Sequence, residues 1–162
     1  MVDKLDASII TLFTEEPRIG VFEASRRLGV ARGTVQARLD RLQRSGVIRD
    51  FAPTIDPEAL GFPVTAFVTA EIAQGQRTST LIEHLKAIPE VLEAHTITGA
   101  GDLLIRVVAR SNSDLQRVVD ALVAEPSVQR TSTVIVLEPQ VDYRTGPLVE
   151  ASQEDSPGRR SR

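Results

Sequence analysis

The chain has 162 residues, 41% of them apolar, with 19 Lys and Arg against 22 Asp and Glu for a formal net charge of −3. That length holds one ordinary domain or two small ones. The sequence contains no cysteine and two histidines, His84 and His95, which excludes disulfides, thiol nucleophiles and thiolate metal sites and leaves too few imidazoles for a histidine-rich one.

The first predicted element is a helix over about residues 3–15, where Leu5, Ile9, Leu12 and Phe13 form one apolar stripe and Asp3 and Asp6 lie near the positive N-terminal end. Pro17 stops it. A short helix over about 21–28 follows, with Phe22 and Leu28 expected inward and Gly29 placed for a positive φ at its exit. The third helix spans about 32–45, and Val35, Leu39 and Leu42 recur at i, i+4 and i+7 to define its buried face. The opposite face collects Gly33, Gln36, Ala37, Asp40, Arg41 and Arg44. After Gly46, an extended run from Val47 through Phe51 to Pro53 reads as a short β-wing. Two helices, a tight glycine turn, a third helix with small exposed residues and this wing predict a winged helix-turn-helix over residues 1–53.

Charge is concentrated there. Residues 26–49 hold seven arginines and one acid, Asp40, inside a block (1–61) whose nine basic residues balance nine acidic ones. A local excess of that kind suits a polyanion partner, and a helix of this length fits the major groove of double-stranded DNA. Gly33 and Ala37 permit close approach, and Thr34 and Gln36 offer hydrogen bonds to bases or phosphates. Arg32, Arg38, Arg41 and Arg44 supply charge for the flanking backbone, and Arg26 and Arg27 extend the surface. Each arginine also has a plainer reading as a solvated residue or a surface ion pair, and Arg38, nearest the buried stripe, as a packing residue.

Residues 54–61, with Pro57 and Gly61, read as a linker containing one helical turn. Residues 62–140 then alternate between strand and helix: strand 63–73, helix 77–88, strand 91–98, the turn GAGD (99–102), strand 103–110, helix 113–125 and strand 128–138. His84 is expected on a polar helix face and His95 in a strand. The order βαββαβ predicts a four-stranded antiparallel sheet with both helices on one face. Both sheet faces read as apolar enough to bury, so the face without helices is expected to form a homodimer. Residues 141–162 carry mixed charge, Gly, Pro and Ser and are expected to be a flexible tail, with the terminal GRRSR a solvating segment. No run approaches the roughly 18 apolar residues of a membrane span, and MVDKLD is not a signal pattern, so the expected compartment is the cytoplasm, with no membrane partner.

The glycines of GAGD leave backbone amides accessible to a carboxylate and Asp102 attracts an ammonium group, which together describe an amino acid; a simple hairpin turn explains the same residues. LDASIITLF, then RRLGVARGTVQARLDRLQRSGVI, then a linker and a βαββαβ domain with TGAGDLLIRV resemble the Lrp/AsnC (feast/famine) bacterial transcriptional regulators over about residues 2–140. That resemblance implies an α+β chain with a winged helix-turn-helix joined to a ferredoxin-like, ACT-related sensing domain, in dimers that often assemble into octamers and respond to amino acids. It also implies an effector beside Gly99, Ala100, Gly101 and Asp102, near hydroxyls of the last strand, which by position are Thr131 and Thr133, with His95 and Thr98 as secondary candidates. The chain departs from the family pattern at Ala31, where a serine N-cap is usual, and at Gly33, where a polar residue is common.

An enzyme is not expected. The sequence has no P-loop, no nucleophile with a plausible base and no paired carboxylates on one helix face, and it implies no cofactor. The alternative to a specific regulator is a ferredoxin-like sensing or structural protein without specific DNA recognition.

Overall fold

The computed structural model describes residues 2–73 and 78–154, which divide into two compact units, one drawn from Met1–Thr54 and Val141–Arg162 and the other from Ile55–Gln140.

The first unit begins with helices α1 (Lys4–Glu15), α2 (Val21–Leu28) and α3 (Arg32–Arg44). Asp3 caps α1 in a reciprocal box: its Oδ1 accepts the Asp6 amide at 2.9 Å and Asp6 Oδ2 accepts the Asp3 amide at 3.0 Å. Gly29, at φ 66°, turns the chain out of α2, and three residues later α3 begins. Ile9, Ala24, Val35, Leu39 and Leu42 form the buried centre, with Leu5, Leu12, Phe13, Val21, Leu28 and Ile48 packed around it.

Two expectations fail here. Phe22 does not point inward but is 69% exposed, because the inward stripe of α2 is Val21, Ala24 and Leu28, at i, i+3 and i+7, and Phe22 lies about 100° away from Val21. The predicted wing forms no strand: residues 47–53 have no ladder partner among the described residues, and Phe51 instead sets its ring 5.9 Å from that of Phe13.

The second unit runs β1 (Val64–Ile72), α4 (Thr78–Lys86), β2 (Val91–Thr96), β3 (Leu103–Ala109), α5 (Asn112–Val123) and β4 (Val128–Ile135). The strands form one antiparallel sheet in the order β2-β3-β1-β4, the arrangement that βαββαβ predicts. Ala66, Val68 and Ala70 on β1 and Leu103, Ile105 and Val107 on β3 face the helices and bury Leu81, Leu85, Leu115, Val118 and Leu122. His84 lies between the helices rather than on a polar face; its Nε2 is 2.7 Å from the Ala121 carbonyl oxygen. The other sheet face carries Thr65, Phe67 and Thr69 opposite Val108, Arg106 and Leu104. It is therefore mixed in polarity, with threonines and Arg106 among the apolar residues that were expected to make it buriable.

The segment read as a flexible tail contains helix α6 (Gly146–Glu154), which belongs to the first unit and lies against α1. The Thr145 carbonyl accepts the Leu148 and Val149 amides, and Pro147 occupies the first turn, where its missing N–H has no helical partner to lose. The GRRSR segment lies outside the described residues.

Candidate functional site

The outer surface of α3 is open. Arg32, Gly33, Gln36, Ala37, Arg41 and Arg44 are exposed, while Thr34 and Arg38 are half-buried. Ala31 stands at the N-cap with extended backbone and provides no side-chain cap, so the first turn of α3 keeps its positive end uncovered by the protein's own side chains. Gln36 Nε2 donates to Asp40 Oδ1 at 2.8 Å, and Arg44 Nε donates to the Asp40 carbonyl at 3.3 Å.

The seven arginines of the cluster are not equivalent. Arg38 bonds both Asp3 and Asp6, and Arg41 bonds Asp6, which ties α3 to α1 along one seam. Arg27 bonds Glu16 and Glu23, and Arg26 pairs with Glu23 at 3.1 Å. Among the described residues, Arg32, Arg44 and Arg49 have no carboxylate partner. Hydrogen bonding from Arg38 holds the Asp3 carboxyl below the usual carboxylate range. Burial pushes the Asp6 carboxyl up, but bonds from the Asp3 amide, Arg38 and Arg41 outweigh it, and the net shift is downward. Bonds to Asp3 and then Asp6 raise Arg38 above the usual guanidinium value. Sequence spacing places all these arginines on or near one surface. It carries no sign of the acidic partners of Arg38 and Arg41, which come from 32 to 35 residues earlier.

In the second unit, the loop between β2 and β3 closes an open cavity of about 760 Å³, lined by Glu71, Ile72, Ala73, Gly99, Ala100, Gly101, Asp102 and Gln129. Its architecture follows from a β-bulge. The register steps from Glu71↔Arg130 to Ile72↔Val128, which leaves Gln129 as the extra residue on β4. The Ile72 amide then donates to Asp102 Oδ2 at 2.7 Å, and the Asp102 amide donates to the Ala70 carbonyl at 2.9 Å. One oxygen of Asp102 is thus engaged by the protein's own backbone.

Each glycine of the loop has a local reason. Gly99 has φ 114°, which side-chain-bearing residues avoid, and a Cβ on Gly101 would stand 2.4 Å from Thr69 Cγ2. Thr131 and Thr133 pair with Ala70 and Val68, whose side chains face the helices, and they do not line this cavity, whereas Gln129 does. His95 pairs with Leu104 on the mixed face, where its Nε2 is 3.3 Å from Glu93 Oε2, and Thr98 is exposed in the loop. The sequence reading missed Glu71, Ile72, Ala73 and Gln129. No local signal marks the bulge that gathers them.

Comparison with known proteins gives two family matches: "Winged helix-turn-helix DNA-binding" over residues 2–49 and "Lrp/AsnC ligand binding domain" over residues 65–145. The HTH-type transcriptional regulator FL11 of Pyrococcus horikoshii is 31% identical over 137 residues, 85% of this chain and 90% of that protein. The HTH-type transcriptional regulator AldR of Mycolicibacterium smegmatis is 31% identical over 140 residues, 85% of this chain and 82% of the relative. Among solved structures, AsnC of E. coli superposes with a TM-score of 0.82 at 26% identity, covering 91% of this chain and 99% of that one. The feast or famine regulatory protein of M. tuberculosis, solved with L-methionine, shares the fold at a TM-score of 0.79 and 24% identity, covering 89% of this chain and 97% of that one. The relatives include archaeal proteins, so the kinship is wider than the bacterial setting first implied.

Proposed function

Because the chain belongs to the Lrp/AsnC family of helix-turn-helix transcriptional regulators, DNA-binding proteins with a ligand-binding domain, we propose that residues 1–53 read duplex DNA through α3 and that residues 62–140 sense an amino acid, with 54–61 as the linker. The observation that carries the first part is the open outer surface of α3. Gly33 and Ala37 put little side chain between the helix backbone and a groove, Gln36 offers an amide to base edges, and Thr34 offers a hydroxyl. Arg32 and Arg44, which have no carboxylate partner among the described residues, are the cations for flanking phosphates, and the uncapped first turn of α3 adds backbone dipole toward an anion. Arg26 and Arg27 contribute at the margin, where Glu23 and Glu16 offset their charge.

The effector part rests on the cavity at Gly99–Asp102. Accessible amides of the loop suit a carboxylate, and Glu71 with the remaining oxygen of Asp102 suits an ammonium group. A structure of the same fold holds L-methionine, which supports an amino acid as the ligand class. The mixed sheet face, with Phe67, Leu104 and Val134 among polar neighbours, supports a homodimer, and octamers are the higher assembly we expect. A DNA target puts this work in the cytoplasm.

Selection of bound duplexes from a random pool, followed by salt titration, tests the DNA reading. Replacing Arg32 and Arg44 together by alanine is expected to lower the slope of log affinity against log salt by about 1.8, at roughly 0.9 per phosphate lost. Unchanged affinity and slope would overturn the assignment of those residues. A thermal-shift screen of the twenty amino acids tests the sensor, since a ligand that binds only the folded state raises Tm; no response from any of them would overturn an amino-acid effector.

A further inference from the structure

Asp6 is completely buried, at 0% exposure, yet it carries a charge. Its Oδ2 accepts the Asp3 amide and also takes Arg41, while its Oδ1 faces Arg38 Nη1 at 3.0 Å. The side chains of Arg38 and Arg41 are 28% and 48% exposed, so both guanidiniums reach the surface while a carboxylate grips them from beneath. Asp3, itself half in solvent, takes a second bond from Arg38. The result is a seam of two acids and two guanidiniums with no net charge, along the contact of α1 with the helix that faces DNA.

Stability alone is a poor reason for this arrangement. Removing two charges from water is costly, and apolar residues of similar volume often serve a fold as well or better. What apolar residues do not do is fix the direction of a guanidinium. Arg38 and Arg41 lie at i and i+3 on the flank of α3, between its buried stripe and its open surface, and a side chain held at one end loses less freedom when it meets a phosphate. The same grip cancels charge that would otherwise attract any duplex, whatever its sequence.

We propose that Asp6 is a positioning residue of the DNA-reading surface: it orients Arg41 and Arg38 and neutralises them, and so limits sequence-independent binding. The inference rests on the DNA-reading role of α3, which binding of the unmodified protein to a random-sequence duplex checks separately.

The test is Asp6→Asn, which keeps size and shape but removes the charge that holds Arg41. Affinity is measured across a salt series for a duplex selected by the unmodified protein and for a random-sequence duplex. On the random duplex, the variant gains about one phosphate contact: the salt slope steepens by about 0.9, equivalent to roughly eightfold tighter binding at 0.1 M salt. Affinity for the selected duplex does not rise in step, so the ratio of selected to random binding falls several-fold. In an Arg41→Gln background the same change adds only the smaller slope that release of Arg38 supplies. An unaltered slope and ratio in a folded Asp6→Asn protein would overturn the proposal, as would equal weakening on both duplexes, the signature of a purely structural residue. Asp3→Asn covers the case in which Asp6→Asn does not fold, because asparagine is as good an N-cap as aspartate and Asp3 holds Arg38 alone. It is expected to shift slope and ratio the same way by a smaller amount, and no shift there overturns the idea.

Discussion

Replacing Gly101 by alanine separates a glycine kept for ligand access from one kept for packing. Gly101 does not occupy the left-handed region, so strain in φ is not at issue. Its added Cβ would lie 2.4 Å from Thr69 Cγ2 and 3.2 Å from the Ala70 carbonyl oxygen. Carbon atoms in contact settle at about 3.5–4.0 Å, so the methyl groups must separate by more than an ångström. Two routes are open. Thr69 sits on a central strand between Leu104 and Ser132, and its branched side chain leaves its rotamer well at about 0.5–1.5 kcal/mol. Alternatively the loop retreats, which strains the Asp102 amide bond to Ala70 at 2.9 Å and the Ile72 amide bond to the Asp102 carboxylate at 2.7 Å. Bonds of these kinds are worth about 0.5–3 kcal/mol each. The expected loss is therefore about 0.5–3 kcal/mol, at the lower end if Thr69 moves and at the upper end if the loop does.

The assay is urea unfolding with amide exchange at β1 and β3, which reports on the second unit alone. Thr69→Ser removes Cγ2 and nothing else, so in that background the cost of Gly101→Ala shrinks by at least about 0.5 kcal/mol, with a remainder from the Ala70 carbonyl. A Gly101→Ala cost below about 0.5 kcal/mol, or no relief from Thr69→Ser, refutes the steric account and leaves the glycine to be explained by what enters the cavity.

Two further outcomes follow from the first unit. Asp3 and Asp6 have carboxyl pKa values depressed below the ordinary value of 3.8, so in the window below that value the unfolded chain binds more protons than the folded one. Their stabilisation is complete above about pH 5 and is lost as pH falls through the folded-state values; unfolding measured at pH 5 and pH 3 shows the drop, and Asp3→Asn flattens it, whereas an equal drop in that variant counts against the seam. Ending the chain after Tyr143 removes α6, and because Leu148 is 68% exposed the expected loss is under about 1 kcal/mol, with faster amide exchange confined to α1; unfolding of the whole first unit would show that α6 belongs to its core.

What was legible in the residues is what depends on local periodicity. Val35, Leu39 and Leu42 are buried at 0%, 4% and 3%, as a stripe at i, i+4 and i+7 requires, and strands β1 and β3 fall within a residue of the runs that alternation marks. Gly29 turns the chain where the helix-turn-helix needs it to turn. Phe22 shows the limit of the same reasoning. Large apolar residues are usually inside, but in an eight-residue helix the stripe Val21, Ala24 and Leu28 is complete without it, and geometry outranks hydrophobicity. Helix α6 carried its signal in Thr145 and Pro147, a capping position followed by a first-turn proline, yet weak amphipathicity hid it among the polar residues of the tail.

The candidate surface of α3 was legible as a cluster and illegible in its pairing. A count of arginines sees seven cations between residues 26 and 49, because charge is a property of a residue and clustering a property of the sequence. Availability is a property of pairs. Asp3 and Asp6 read locally as helix-capping acids, and they are, but the same two carboxylates reach Arg38 and Arg41 across the α1–α3 contact. The cavity repeats the lesson. Asp102 was expected to wait for an ammonium group, and a bulge two strands away gives one of its oxygens to Ile72 first. In both places a side chain proposed for a ligand already serves the fold, so a substitution there bears on the proposed recognition and on architecture together, and only a readout tied to charge, such as the salt slope, tells them apart.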